Sequence, residues 1–320
     1  MTTLTRIRYG LLSTLDPKVT LRPLVRCRIS PTILYGPSMA IRFPLTRRQV
    51  FLAAVCLLTG VRFNAYAEGQ PFISVAATTS PEQSGLLGYL LPLFTQQTGI
   101  DVYVASIGTG QALKSGELGE CDVILVHDRP RELEFMQNGF GSIRREVMYD
   151  DFVIVGPKDD PAKVDGLHDV VAALRKIAEA KSPFVSRGDK SGTEAAEQRF
   201  WNEAGGRPKS HRQPWYLETG SSMEQTLRTA ALMNAYALTD RGTWLKSNDR
   251  RDRKIVVEGD TRLINQYAVI LVNPAHRPGV KAELGMAFID WVTSSQGQGA
   301  IANYRINGEQ IFFPNYVPPK

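Results

Sequence analysis

The sequence predicts an α/β protein of two lobes, each built on a mainly parallel sheet, with two crossings of the chain between them. Three observations carry this reading. Short apolar runs alternate with segments of helical periodicity from residue 72 onward. The alternation restarts at residue 151. No low-complexity linker separates the two halves, so they are expected to pack directly on each other.

The elements follow in order. FISVAA (72–77) reads as a strand. SPEQSGLLGYLLPLFTQQTG (80–99) reads as helix, because Leu86, Leu87, Leu90, Leu91 and Phe94 recur at helical spacing. Pro92 inside that pattern predicts a kink or two short helices, and Gly99 a C-terminal stop. IDVYVASI (100–107) alternates as a strand does, and the continuous run CDVILV (121–126) suits a strand buried on both faces. In the second round DFVIVG (151–156), PFVS (183–186), AYALT (235–239), KIVVEG (254–259) and QYAVILVN (266–273) are strands. Residues 167–180, 192–204, 223–234 and 280–295 are helices, and a tail containing IFFP closes the chain. MYDDFVIVG and NQYAVILVN are the expected crossings. They divide the chain into one lobe of residues 68–150 with 266–320 and another of 151–265, the last helix returning to the first lobe.

Residues 1–67 read as a leader. Arg47-Arg48 precedes an uncharged stretch from Gln49 to Val61 and the small-x-small pattern Ala65-Tyr66-Ala67, the layout of a secretory signal of twin-arginine or general type. The apolar run falls short of the roughly 20 residues of a membrane span; an uncleaved anchor or a buried helix is the alternative. Met39 is a second possible start. Export to the periplasm is therefore expected. Ten of the 38 Lys and Arg but one of the 32 Asp and Glu lie in the leader, so a net charge of +6 becomes −3 for residues 68–320. A nucleic-acid footprint is not expected on such a chain. Of three cysteines only Cys121 follows the leader, which excludes an intrachain disulfide in the processed form and suits a small core residue. No Cys/His spacing resembles a metal site, and no cofactor is expected.

Four expected helix starts follow strands, where α/β folds place their ligand crevices. Thr78-Thr79-Ser80-Pro81-Glu82-Gln83 offers Ser80 as N-cap with Gln83 at the capping-box position. Gly108-Thr109-Gly110 opens the next helix, Ser191-Gly192-Thr193-Glu194 is a Ser-x-x-Glu box, and Ser222 stands three residues before Gln225. Such residues are the usual caps, so each start alone has a structural explanation. Four of them, two per lobe, with Arg187 as a forked cation, suit one small anion held by exposed N–H groups. Asp189 is placed to pair with Arg187 and orient it.

Catalysis has less support. Gly108-Thr109-Gly110 is not a complete dinucleotide fingerprint, GDKSGT (188–193) lacks the Walker spacing, and no G-x-S-x-G elbow occurs. His127 and Asp128, following a strand, are the candidates for a base in a rival reading as a periplasmic hydrolase; His127 has the structural alternative of a satisfied histidine.

The segments ATTS…SGLL, GTGQAL, DVILVH, MYDDFVIVGPKDDP, FVSRGDKSGT, LTDRGTW and VEGD, in that order across residues 72–314, resemble the periplasmic tungstate-binding proteins of ABC importers, the TupA type. The resemblance implies a type II periplasmic binding protein fold closing on an oxyanion, an ABC permease as partner, and ligand contacts from Thr78, Thr109, Arg187 and Thr193. Helix-start geometry adds Thr79, Ser80, Gly110, Ser191 and Ser222. Ala77 stands where the family pattern has a further threonine. The guest expected is a small tetrahedral oxyanion, tungstate or molybdate, carried by a monomer. Arg-x-Asp-x-Ser-Gly-Thr (187–193) also resembles phosphate-binding proteins, for which Asp128 could accept the proton of hydrogen phosphate.

Overall fold

The computed structural model describes residues 70–250 and 252–318. The leader, its signal and the Met39 start lie outside the described residues. Strands β1 (Phe72–Ala77), β2 (Asp101–Ser106) and β3 (Val123–Val126) lie side by side and parallel, with β1 in the middle. Helices α1 (Thr79–Gln83) and α2 (Leu86–Thr98) connect β1 to β2, and α3 (Thr109–Leu118) connects β2 to β3. All four residues of β3 are buried, as its unbroken apolar run requires.

The α1–α2 break falls at Gly85, not at Pro92. Gly85 adopts φ +84°, the left-handed conformation that glycine takes without strain. Pro92 instead lies inside α2. It and Gly88 are exposed, so the carbonyl that loses its donor is on the water side of the helix. Gly99 ends α2 in the left-handed conformation.

After α4 (Arg129–Gln137), β4 (Gly141–Pro157) runs for 17 residues and serves two sheets. Its first part pairs antiparallel with β9 (Ile264–Val272), which also borders β3, while the short strand Phe313–Pro314 pairs with its other side. Its last part pairs antiparallel with β7 (Ala237–Asp240) and β8 (Arg253–Val257). β5 (Phe184–Ser186) is parallel to β6 (Tyr216–Glu218) and bridges to Tyr236 beside β7. The parallel pairs thus belong to the strand–helix–strand units of each lobe, and the antiparallel pairs come with the crossing strands.

The hydrophobic core divides at those crossings. One cluster runs from Ile73 to Met148 and from Tyr267 to Phe312, and takes in α9 (Ala282–Thr293) and α10 (Ser295–Asn303) through Phe288, Trp291 and Ile301. Beyond Asp151, alternate residues of β4 enter two clusters. Phe152 and Ile154 pack with Leu174 of α5 (Val170–Glu179) and with Phe200 and Trp201 of α6 (Gly192–Glu203). Val153 and Val155 pack with Met223 and Leu227 of α7 (Met223–Leu232) and with Trp244 of α8 (Arg241–Lys246). Among the described residues no helix is long and apolar enough to cross a membrane.

Candidate functional site

The C-terminal edges of the two sheets face each other. On one side, Thr78 follows β1 and its N–H donates to Leu125 O (3.0 Å), β2 leads into Thr109, and His127 follows β3. On the other, Arg187 follows β5 and β7 ends at Asp240. Contacts join the edges at several points. Gly192 rests against Thr109 and His127. Arg131 Nη1 donates to Lys190 O at 3.1 Å, Arg199 Nη1 lies 3.2 Å from Asp128 Oδ1, and Ser80 Oγ donates to Asp240 Oδ2 at 3.4 Å.

Three threonine hydroxyls at this junction are unusual. Thr78, Thr109 and Thr193 are all buried, and the Oγ1 of each has no hydrogen-bond partner. A buried hydroxyl left unsatisfied costs about 1–3 kcal/mol. The threonines occupy the N-cap of α1, the first residue of α3 and the second of α6. None is used for capping. In α6 that work falls to Ser191, whose Oγ accepts from Glu194 N at 3.2 Å, while the Glu194 carboxylate takes the N–H of Lys190. The Ser191 hydroxyl proton is not consumed by that bond.

Arg187 is 3% exposed. Its Nε and Nη2 hold Asp189 Oδ2 at 3.2 and 2.5 Å, and Asp189 Oδ1 accepts from Ser191 N at 3.1 Å. Asp189 therefore ties the guanidinium to the start of α6, as its spacing from Arg187 predicts. Beneath lies a buried network at the crossing strands. Asn265 Nδ2 donates to Asp150 Oδ1 (2.6 Å), Tyr267 OH to Asp150 Oδ2 (3.2 Å), and His127 Nδ1 lies 2.7 Å from Asn265 Oδ1. With the Asn265 amide donating to a carboxylate, its oxygen is left to accept from His127 Nδ1–H. Burial, with the nearby charges of Arg187 and Arg199, pushes the imidazole down to about 4, although the Asn265 bond opposes this. Burial raises the Asp150 carboxyl well above its usual range, and the charge of Asp240 adds to the shift. Burial also raises Asp240, against the N–H and hydroxyl of Thr243 and the charge of Arg187.

Thr78, Thr109 and Thr193 thus stand on the facing edges with Arg187. Gly110 is at the same place, 3.7 Å from both Arg131 Nη1 and Lys190 O when measured from where a side chain would begin. Thr79 is half-buried in the first turn of α1. Two expectations from capping patterns end differently. Ser80 is not an N-cap; that position falls two residues earlier, at Thr78, and the Ser80 hydroxyl crosses to Asp240, a tertiary contact that overrides the local signature. Ser222 caps α7 by accepting from Gln225 N at 3.4 Å and shares no hydrogen bond with the threonines. The first turn of α7 borders a separate opening through Glu224. A cavity of about 490 Å³, lined by Gln83, Glu224, Arg228, Lys246 and Asp249 among others, lies there, and none of the three threonines lines it. Sequence reasoning missed Asn265, Asp150 and Asp240. Only Asp240 left a local trace, as the cap of α8 three residues before Thr243, whose N–H it accepts at 2.7 Å. Among the described residues no group of three His, Cys, Asp or Glu could hold a metal ion.

Two lobes whose strand ends meet around unsatisfied donors define a solute-binding protein, and residues 65–296 match the PBP superfamily domain. The tungstate-binding protein TupA of Peptoclostridium acidaminophilum is 45% identical over 247 residues, 76% of this chain and 85% of that protein. The solved structure of the tungstate-binding protein TupA from Desulfovibrio alaskensis G20 is 44% identical, with a TM-score of 0.68, covering 77% of this chain and 100% of that one. That of the tungstate ABC transporter from Geobacter sulfurreducens is 43% identical, with a TM-score of 0.67, covering 73% and 98%. With relatives this similar over some three quarters of its length, the chain belongs to the TupA family of the PBP superfamily.

Proposed function

We propose that this protein captures tungstate, or the isosteric molybdate, between its lobes and hands it to the permease of an ABC importer. The observation that carries the reading is the set of three buried, unpartnered threonine hydroxyls on the facing edges, with the buried Arg187 following β5 on one of them. Neutral O–H and N–H donors with one guanidinium match a dianion that has no proton to give. Thr78, Thr109, Arg187 and Thr193 are the principal contacts, with Thr79, Gly110 and Ser191 beside them. The lobes are residues 68–150 with 266–320, and 151–265, which close on the guest and open for release. The protein acts as a monomer in the periplasm after export.

Carriage is favoured over chemistry by what the two candidate bases are doing. His127 Nδ1 is occupied by Asn265, and its depressed basicity suits a wall residue better than a proton acceptor. Asp128 is held between Arg131 Nε (3.3 Å) and Arg199 Nη1 (3.2 Å). The same engagement counts against phosphate, whose proton needs a carboxylate acceptor: Asp189 and Asp240 are also committed, to Arg187 and Ser191 N and to Thr243 and Ser80. Calorimetric titration with tungstate, molybdate, sulfate and phosphate tests the reading. Tight one-to-one binding of the first two with weak binding of the others is expected. Preference for phosphate, or turnover of a phosphate ester, would overturn it.

A further inference from the structure

Gly192 opens α6 with a backbone that any residue could adopt; its φ is not in the positive region, unlike those of Gly188 and Lys190 (both +62°). Chain conformation therefore does not call for glycine here. The surroundings do. A side-chain carbon at residue 192 would lie 2.7 Å from His127 Cε1, 2.9 Å from Thr109 Oγ1 and 3.0 Å from His127 Nδ1. Both neighbours belong to the opposite lobe, and His127 cannot swing aside. Its Nδ1 is held by Asn265, Asn265 is held by Asp150, and its ring packs 4.9 Å from that of Tyr267. Ordinary carbon–carbon contact needs 3.5–4.0 Å, so a methyl group at residue 192 would force the lobes apart by roughly 1 Å.

We infer that Gly192, pressed on the His127–Thr109 wall, is the stop that sets how far the lobes close, and thereby the size of oxyanion that donors from both lobes reach together. The inference rests on the oxyanion reading and adds a specificity-determining residue to it. Thr193 and Arg187 lie on the chain that Gly192 carries; Thr78 and Thr109 lie on the other side. Retreat by roughly 1 Å takes hydrogen bonds across the gap beyond their working distance of about 3.2 Å. A long-bonded dianion that spans the gap loses contacts on one side. A shorter one, which already engages one lobe better than the other, loses less.

The test is Gly192→Ala, titrated with tungstate and sulfate, alone and in a His127→Ala background, with crystal structures of the wild type and Gly192→Ala. Tungstate Kd is expected to rise roughly 10- to 100-fold, the equivalent of one charge-assisted hydrogen bond, with sulfate changing less than about 3-fold. In the His127→Ala background the penalty of Gly192→Ala is expected to shrink, because two of the three close contacts go with the ring and only Thr109 Oγ1, at 2.9 Å, remains. The distance from residue 192 Cα to the His127 ring is expected to grow by roughly 1 Å in the variant. An unchanged tungstate Kd, an undiminished penalty without His127, or an unchanged gap would each overturn the inference. A wild type that binds neither anion would remove the oxyanion reading, and the two crystal structures would still decide whether Gly192 is the stop.

Discussion

Arg187→Ala removes the one full positive charge that the proposal places against the guest. The side chain is 3% exposed, so water screens it little. A dianion about 4 Å from a guanidinium gains on the order of 8 kcal/mol at an effective dielectric constant of about 20. Two things reduce that figure. Asp189 shares the same guanidinium at 2.5 Å and repels the guest, and the guest gives up its hydration. Truncating one partner of a buried, hydrogen-bonded charge pair costs about 2–5 kcal/mol in practice, which is roughly a 30- to 5000-fold rise in Kd. Isothermal titration with tungstate, beside thermal melting to verify the fold, reads this directly. Arg187→Lys, which keeps the charge and loses the fork, is expected to fall between the two. A folded Arg187→Ala protein with a Kd within about 3-fold of wild type would refute the placement of Arg187 in the site.

Other outcomes follow from the same geometry. Asp128→Asn breaks an interlobe pair whose Arg199 side chain is 45% exposed, so it should change tungstate Kd by less than about 5-fold in a titration. Glu197 is buried beneath Trp201 Nε1 and Tyr216 OH, and burial pushes its carboxyl up to about 7. The native state then holds a proton that the unfolded chain releases near 4.5, so stability from this group is full below 4.5 and lost as pH rises through 7. Wild type should lose on the order of 3 kcal/mol more than Glu197→Gln between pH 5 and 8 in urea unfolding; parallel profiles would contradict this. His127 should show no imidazole titration above pH 5 by NMR, since its value is about 4. Burial pushes the Cys121 thiol up to about 12, so thiol reagents should label it only after denaturation.

The helix starts that hold Thr78, Thr109 and Thr193 were legible in the sequence because each stands between a strand-like run and a helical one, a local signal; the choice of those threonines within the starts rests on the family resemblance. Arg187 and its partner Asp189 were legible for the same reason, being two residues apart. Ser80 misled, since a Ser-Pro-Glu-Gln signature describes a good N-cap but contains nothing about Asp240, 160 residues away. The Asp150–Asn265–His127 network was illegible in principle: its members meet only when β4 and β9 pair at Asp150↔Asn265. The break at Gly85 was hidden because Pro92 carries the stronger local signal, whereas the chain turns at Gly85 in the left-handed conformation and Pro92 is accommodated on the exposed side of α2. The two lobes themselves were readable from alternation, since FVIV and VILV bury on both faces whatever surrounds them.

The central claim is that three unsatisfied threonine hydroxyls and one guanidinium close on a single oxyanion. A crystal structure of the protein with tungstate, located by the anomalous scattering of tungsten, tests it most directly. The account expects one tungsten peak between the facing strand edges, its oxygens within hydrogen-bond distance of Thr78, Thr109 and Thr193 Oγ1 and of the Arg187 guanidinium. A peak in the opening lined by Gln83, Glu224 and Lys246, or the threonine hydroxyls still unpartnered with tungstate bound elsewhere, would contradict it.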